Sequence, residues 1–244
     1  MISSEKKLEV LARINEIENF IVSSNGRDTS IGALCGVITA ESSELSNSSD
    51  SLAPVLRTAL VINFRESAMK SRYQRFVAMF PEISTLFALK RVMDTTVPLA
   101  FCKTYLNINA NSAAADKNPK YCLLKALTDG FLEYQKLHGL SSEIEAIRHW
   151  SARVKLDDLK NDFIGKRHGV GPAVVQNIRL NLGDRVMKPD RRVIGVMEQF
   201  LHVKIPVDKY SEFADLIGKN PRYLDCILFE YGKAKKMSAK SGQL

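Results

Sequence analysis

The chain has 244 residues, 45% of them hydrophobic, which is enough to bury a sizeable core in one large domain or two small lobes without covalent staples. Its 35 Lys and Arg against 27 Asp and Glu give a formal net charge of +8 and a sequence pI near 9.3, a balance that favours a polyanionic partner such as nucleic acid. The four cysteines stand singly at Cys35, Cys102, Cys122 and Cys226, with no CxxC and no His at ligand spacing, which excludes a zinc finger or redox pair as the sequence's message.

Charged residues at Glu5, Lys6, Lys7 and Glu9 leave no apolar run for a secretory leader, and no later run approaches the ~20 residues of a membrane span. The expected location is cytoplasmic, nucleoid-associated in a bacterium, with no membrane partner. Residues 4–22 place Leu8, Leu11, Ile14, Ile17 and Ile21 at helical spacing behind Ser3 and Ser4, predicting an amphipathic helix. The polar stretch 39–51, TAESSELSNSSDS, predicts a mobile surface loop. Residues 52–106 are apolar, with Phe64, Tyr73, Phe76, Phe80, Phe87 and Phe101 at near-helical intervals and Pro81 and Pro98 as breaks between short helices. After a second loop, INANSAAADKNP, residues 121–137 and 142–154 predict two helices, the second opening on a Ser-Ser-Glu capping signature. The tail 233–244, with Lys233, Lys235, Lys236 and Lys240, lacks apolar anchors and predicts a frayed basic end. With no internal repeat, the expectation is a single compact helical unit of roughly ten helices.

The informative segment is 156–201. Leu156, Leu159, Phe163 and Ile164 predict a first helix, Gly169-Val170-Gly171 a tight turn, and Pro172 the first position of a second helix ending near Gly183. The apolar face of that second helix is Val174, Val175, Ile178 and Leu182, with Gln176, Asn177, Arg179 and Asn181 outward. Two glycines let a backbone approach a phosphate, and the N–H groups at the start of the Pro172 helix point at the anion. Lys166, Arg167 and Arg179 flank the turn as candidate phosphate contacts, and His168 adjoins it. An ordinary helix–helix turn would read the same in these four residues alone.

Downstream stand Gly183, then Lys188-Pro189-Asp190, with Asp190 lying 21 residues after Gly169, and then Val193, Val196, Met197 and Phe200 as the apolar face of a further helix. This arrangement resembles the helix-hairpin-helix glycosylase superfamily, HhH-GPD, over about residues 156–201. The resemblance implies an all-α, two-lobed fold with a helix-hairpin-helix over 156–183. It also implies a monomeric DNA glycosylase that hydrolyses the N-glycosidic bond of a damaged or modified base flipped out of double-stranded DNA, in repair or in attack on modified foreign DNA.

In that resemblance Asp190 is the catalytic carboxylate. A departing base leaves positive charge on the deoxyribose, and a carboxylate stabilises that oxocarbenium-like state or orients a water. The same residue type before an apolar-faced helix also serves as a simple N-cap. Bifunctional members carry a lysine two residues after the last hairpin glycine, where this chain has Ala173; alanine cannot form a Schiff base, so the resemblance implies a monofunctional enzyme, with Lys188 the one nearby amine. The family's usual Leu-Pro before the hairpin is replaced by Arg167-His168. No iron–sulfur cluster is expected, and no cofactor beyond a monovalent cation at the hairpin. Trp150, Tyr134, Phe131, Phe80 and Tyr73 are candidates to line a base pocket, against the plainer role of core aromatics. Arg72, Gln74 and Arg75 are candidates to probe the lesion strand. The alternative from another class is a non-enzymatic helix-hairpin-helix DNA-binding module in which Asp190 only caps its helix.

Overall fold

The computed structural model describes residues 3–24, 26–43, 50–61, 66–108, 116–188 and 190–237. The protein is mostly helical, with twelve α-helices and one two-stranded sheet among the described residues. It divides into two compact units, Met1–Asn47 with Gly183–Leu244, and Ser48–Leu182.

The first unit begins with α1, Ser4–Asn19, where the Ser3 side chain accepts the Lys6 N–H and Val10, Ile14 and Ile17 are fully buried at helical spacing. An antiparallel hairpin follows, β1 Ile21–Ser24 and β2 Arg27–Ser30, which the helical expectation through residue 22 did not contain. Ser24 pairs with Arg27, and Gly26 before it takes a left-handed φ of +76°. Helix α2, Ile31–Ser43, occupies the start of the polar stretch expected to be a loop from residue 39; residues 44–49 lie outside the described residues.

The same unit is completed from the other end of the chain. Helix α10 is Arg191–Gln199, α11 Tyr210–Leu216 and α12 Pro221–Ala234. Helix α12 packs against α1, α2, α10 and α11. Their shared core includes Ile31, Cys35, Met187, Val196, Leu224 and Leu228, all fully buried. The tail expected to be frayed from 233 is ordered further than that: α12 runs through Ala234, and the Met237 N–H donates to the Gly232 carbonyl at 2.8 Å. Residues 238–244 lie outside the described residues.

The second unit is built on α3, Leu52–Val61, which is buried from Leu52 to Leu60. Around it stand α4 Glu66–Met79, α5 Leu86–Thr95, α6 Pro98–Thr104, α7 Pro119–Leu137, α8 Glu143–Arg153 and α9 Pro172–Asn181. Helix α3 packs against α4, α7 and α9; α7 also packs against α5 and α8. Helix ends fall where proline and capping residues dictate. Helix α4 stops before Pro81, while Pro98, Pro119 and Pro172 each open a helix at its first turn. Ser142 caps α8 by accepting the Glu145 N–H, and the Glu145 carboxylate reaches back to the Ser141 N–H and hydroxyl, which holds it below the ordinary carboxylate range. Phe64 and residues 109–115 of the INANSAAADKNP stretch lie outside the described residues.

Between α8 and α9 the structure departs from expectation. Residues 155–171 form a succession of turns, not the first helix of a helix-hairpin-helix. The cause is local competition for backbone donors. Asp162 Oδ1 accepts the Ile164 N–H at 2.9 Å and the Gly165 N–H at 2.6 Å. Asp162 also takes the Trp150 indole N–H at 2.8 Å, so the turns are fixed to the core. Gly165 is required there: a Cβ would lie 2.7 Å from the Leu159 carbonyl oxygen.

Candidate functional site

The Gly169-Val170-Gly171 turn lies in the second unit and is set by backbone geometry. Gly169 has a left-handed φ of +84°, a region that disfavours any side chain. Gly171 is extended, φ −132° and ψ 179°, and stands at the N-cap of α9 with no side chain to satisfy the helix's first amides. The Val170 N–H donates to the Arg167 carbonyl at 3.1 Å. Among the described residues, the N–H groups of His168, Gly169, Gly171 and Ala173 have no hydrogen-bond acceptor, and no atom lies within 4 Å of a Cβ built on Gly171. Open backbone donors at the positive end of a ten-residue helix are suited to an oxyanion.

The flanking cations divide. Lys166 and His168 are exposed beside the turn. Arg167 instead turns onto α7, with Nη2 at 2.6 Å from Glu133 Oε2. Arg179, expected to face outward, folds back onto the end of α8: its Nε and Nη2 donate to the Ser151 and Val154 carbonyls, each at 2.9 Å. Gln176 is buried, and Asn181 Nδ2 donates to Thr58 Oγ1 and the Asn177 carbonyl. The polar face read from the sequence is therefore an inward one, because α9 is covered by α3 and α8.

Asp190 lies in the first unit, at the N-cap of α10. Its Oδ1 accepts the Arg192 N–H at 2.8 Å, and its carbonyl accepts the Ile194 N–H at 2.9 Å. Among the described residues Oδ2 has no hydrogen-bond partner. The approach to Asp190 is pinned: the Met187 side chain is fully buried, the Met187 N–H donates to Ser211 Oγ at 3.0 Å, and the Lys188 N–H to Asp225 Oδ1 at 2.8 Å. Helix α10 is drawn against α12 at Gly232, where a Cβ would lie 3.0 Å from Val196 Cγ2 and 3.1 Å from Arg192 Cβ. The carboxylate is thus anchored on both sides in chain order. Lys188 contributes its backbone to this arrangement, donating to Asp225 and accepting the Asp190 N–H at 2.8 Å.

No protein-family model, curated protein or solved structure matches the chain.

The aromatic candidates for a base pocket all lie in the second unit, and three are core residues. Phe131 is fully buried, Trp150 is 1% exposed and meets it edge-on with ring centroids 5.2 Å apart, and Tyr134 is buried with its hydroxyl 3.0 Å from His149 Nδ1. Burial within the fold, not an open cavity, explains their spacing. Phe80 is half-buried against Tyr105. Tyr73 is half-buried beneath the Arg57 guanidinium, 4.4 Å from its ring, and its hydroxyl is 3.3 Å from Asp50 Oδ2; burial first, and then the Asp50 charge, push that phenol up to about 12. Arg72 Nε bonds the Asn107 carbonyl, while Gln74 and Arg75 are exposed.

Two groups carry more of the local structure than the sequence suggested. Glu143, beyond opening α8, accepts the Leu86 and Phe87 N–H groups at 2.7 and 2.9 Å and so caps α5 across 56 residues of chain. Asp162 organises the turns before Gly169. Its signal was available in the KNDF segment, where Asn and Asp in succession favour turns over helix. Among the described residues no group of three or more His, Cys, Asp and Glu is arranged to hold a metal, and no helix is long and apolar enough to cross a membrane.

Proposed function

We propose that this protein is a monofunctional DNA glycosylase, gripping duplex DNA through the 168–173 backbone and using Asp190 on a base extruded from the helix. The observation that carries the DNA part is the row of unbonded amides at a glycine turn opening α9. Such a surface binds phosphate without reading sequence. The exposed Lys166 and the net charge of +8 act in the same direction. The His168, Gly169 and Val170 carbonyls accept no backbone N–H among the described residues, and fit a monovalent cation as hard oxygen donors.

The chemical part rests on the 21-residue spacing from Gly169 to Asp190 and on a carboxylate with one oxygen engaged and one available. In that role the unengaged Oδ2 faces developing charge on the deoxyribose, or orients the attacking water, while the Arg192 N–H holds Oδ1 in place. The proton balance is that of hydrolysis: water supplies hydroxide to the sugar carbon and a proton to the departing base, leaving an abasic site. Ala173 provides no amine for strand cleavage. The substrate is double-stranded DNA carrying a damaged or modified base, met by a monomer in the cytoplasm.

A second reading is favoured by the observed Asp190 cap, which alone accounts for an Asp at this position: a DNA-binding module without catalysis. Mass spectrometry of free bases released from DNAs bearing alkylated, oxidised, mismatched and phage-type modified bases separates the two. Release by wild type and none by Asp190→Asn supports the glycosylase. Equal, salt-dependent binding by both proteins with no release across the panel supports the module.

A further inference from the structure

Gly130 stands in the middle of α7, a 19-residue helix, where glycine costs about 1 kcal/mol relative to alanine. Its use is spatial. A Cβ there would lie 3.0 Å from Arg167 Nε and 3.2 Å from Arg167 Cδ, so the missing side chain is the slot through which Arg167 crosses α7 to reach Glu133. Leu123, seven residues earlier on the same face of α7, would meet a Cβ on Gly169 at 3.6 Å. Arg167 itself accepts the Val170 N–H, the internal backbone hydrogen bond of the turn. Its guanidinium lies 5.5 Å from the Phe163 ring centroid, and its Nε is buried without a partner.

We propose that Arg167 is a positioning residue, a latch that holds the glycine turn against α7 through the Gly130 slot and Glu133, and not one of the phosphate contacts. The proposal rests on the DNA-binding reading of the turn. The latch stays closed when DNA arrives, because its guanidinium is already committed to Glu133.

Glu133→Gln distinguishes the two roles by sign. Removing a negative charge near a phosphate-binding surface strengthens binding if Arg167 is thereby freed to contact DNA. It weakens binding if the turn loses its seat, by about two- to fivefold for a pair exposed at its Glu133 end. Gly130→Ala is expected to weaken DNA binding similarly while leaving the thermal midpoint unchanged or raised, since α7 gains a better helix former. The swap of Glu133→Arg with Arg167→Glu is expected to restore affinity. Hydrogen exchange of the Val170 amide reports the latch without DNA and is expected to be faster in both single variants.

Tighter DNA binding by Glu133→Gln, or unchanged exchange at Val170, overturns the latch. If wild type shows no salt-dependent DNA affinity but Val170 exchanges faster in both variants, the latch stands and the DNA reading falls. If neither is seen, both fall.

Discussion

Truncating Asp162 to Ala removes one carboxylate oxygen that serves three donors: the Trp150 indole at 2.8 Å, the Ile164 amide at 2.9 Å and the Gly165 amide at 2.6 Å. Trp150 and Ile164 are at most 1% exposed, so their N–H groups find no water in the folded state. Each orphaned donor costs about 1–3 kcal/mol. Asp162 itself is half-buried, and water entering its vacated space satisfies part of the demand. The expected loss is therefore about 3–5 kcal/mol, below the simple sum over three donors but a large fraction of a domain's usual stability. The assay is equilibrium urea unfolding followed by fluorescence of Trp150, the only tryptophan in the chain and a core residue of the second unit. With a slope of ~2 kcal/mol/M, the midpoint falls by roughly 1.5–2.5 M. Asp162→Asn keeps an acceptor at Oδ1 and gives up only the charge, so its expected loss is about 1–2 kcal/mol. A loss under ~1 kcal/mol for the Ala variant, or equal losses for Asn and Ala, would refute the claim that this oxygen holds the 155–171 turns.

At Asp190, Asn preserves an acceptor for the Arg192 N–H while Ala does not, so calorimetry is expected to show a cost of about 1 kcal/mol for Ala and a few tenths for Asn. On the proposed glycosylase reading both variants are expected to abolish base release, and a fully active Asn variant would sink the catalytic role. Gly171→Ala meets no atom within 4 Å and has an ordinary φ, so it should cost no more than the N-cap preference for Gly over Ala, yet on the proposed reading the added methyl would hinder a phosphate's approach. Affinity for duplex DNA should fall at least about tenfold in a fluorescence-anisotropy titration; retained affinity would place the contact elsewhere. His149 is held below its ordinary value of 6.5, chiefly by desolvation, then by the Arg153 and His138 charges, with Glu145 opposing. Its folded form takes up a proton less readily than its unfolded form. Stability is then full above pH 6.5 and declines as pH falls below it, and His149→Gln should flatten that decline in urea melts at pH 7.5 and 5.5.

Much of the helical layout follows from residue spacing. The capped starts of α1 and α8, the stop before Pro81 and the openings at Pro98, Pro119 and Pro172 are local decisions made by side chains beside the termini. What spacing cannot show is which polar side chains a second element will cover. Gln176, Arg179 and Asn181 read as a solvent face because the Val174, Val175 and Ile178 stripe is apolar, yet α9 is packed on more than one side. Leu156, Leu159, Phe163 and Ile164 have helical spacing, yet the segment before Gly169 folds as turns, because the Asp162 carboxylate offers the Ile164 and Gly165 amides a nearer acceptor. Helical spacing through Ile21 conceals the β1–β2 hairpin, whose signal is the Asn-Gly pair of the sequence. Asp190 as an N-cap and Gly169 as a left-handed turn residue were legible, being properties of single positions.

The inward turn of Arg167 and Arg179 changes the kind of grip the glycine turn would offer DNA on the proposed reading. With both guanidiniums committed to Glu133 and to the α8 carbonyls, Lys166 is the exposed Lys or Arg side chain beside the turn. A single neutralised phosphate gives a slope of about −0.9 in log affinity against log salt, so the proposed contact at the turn is expected to show a shallow but measurable salt dependence. Backbone amides add direction but no net charge, and they fix register without distinguishing one base from another. On the proposed glycosylase reading, discrimination between DNA sites would fall to the energy of extruding the target base, which is lowest where pairing or stacking is already weakened. On the proposed reading the glycine turn and a selective extrusion step fit together: sequence-blind contact would let the protein sample many sites, and the cost of extrusion would decide where it stops.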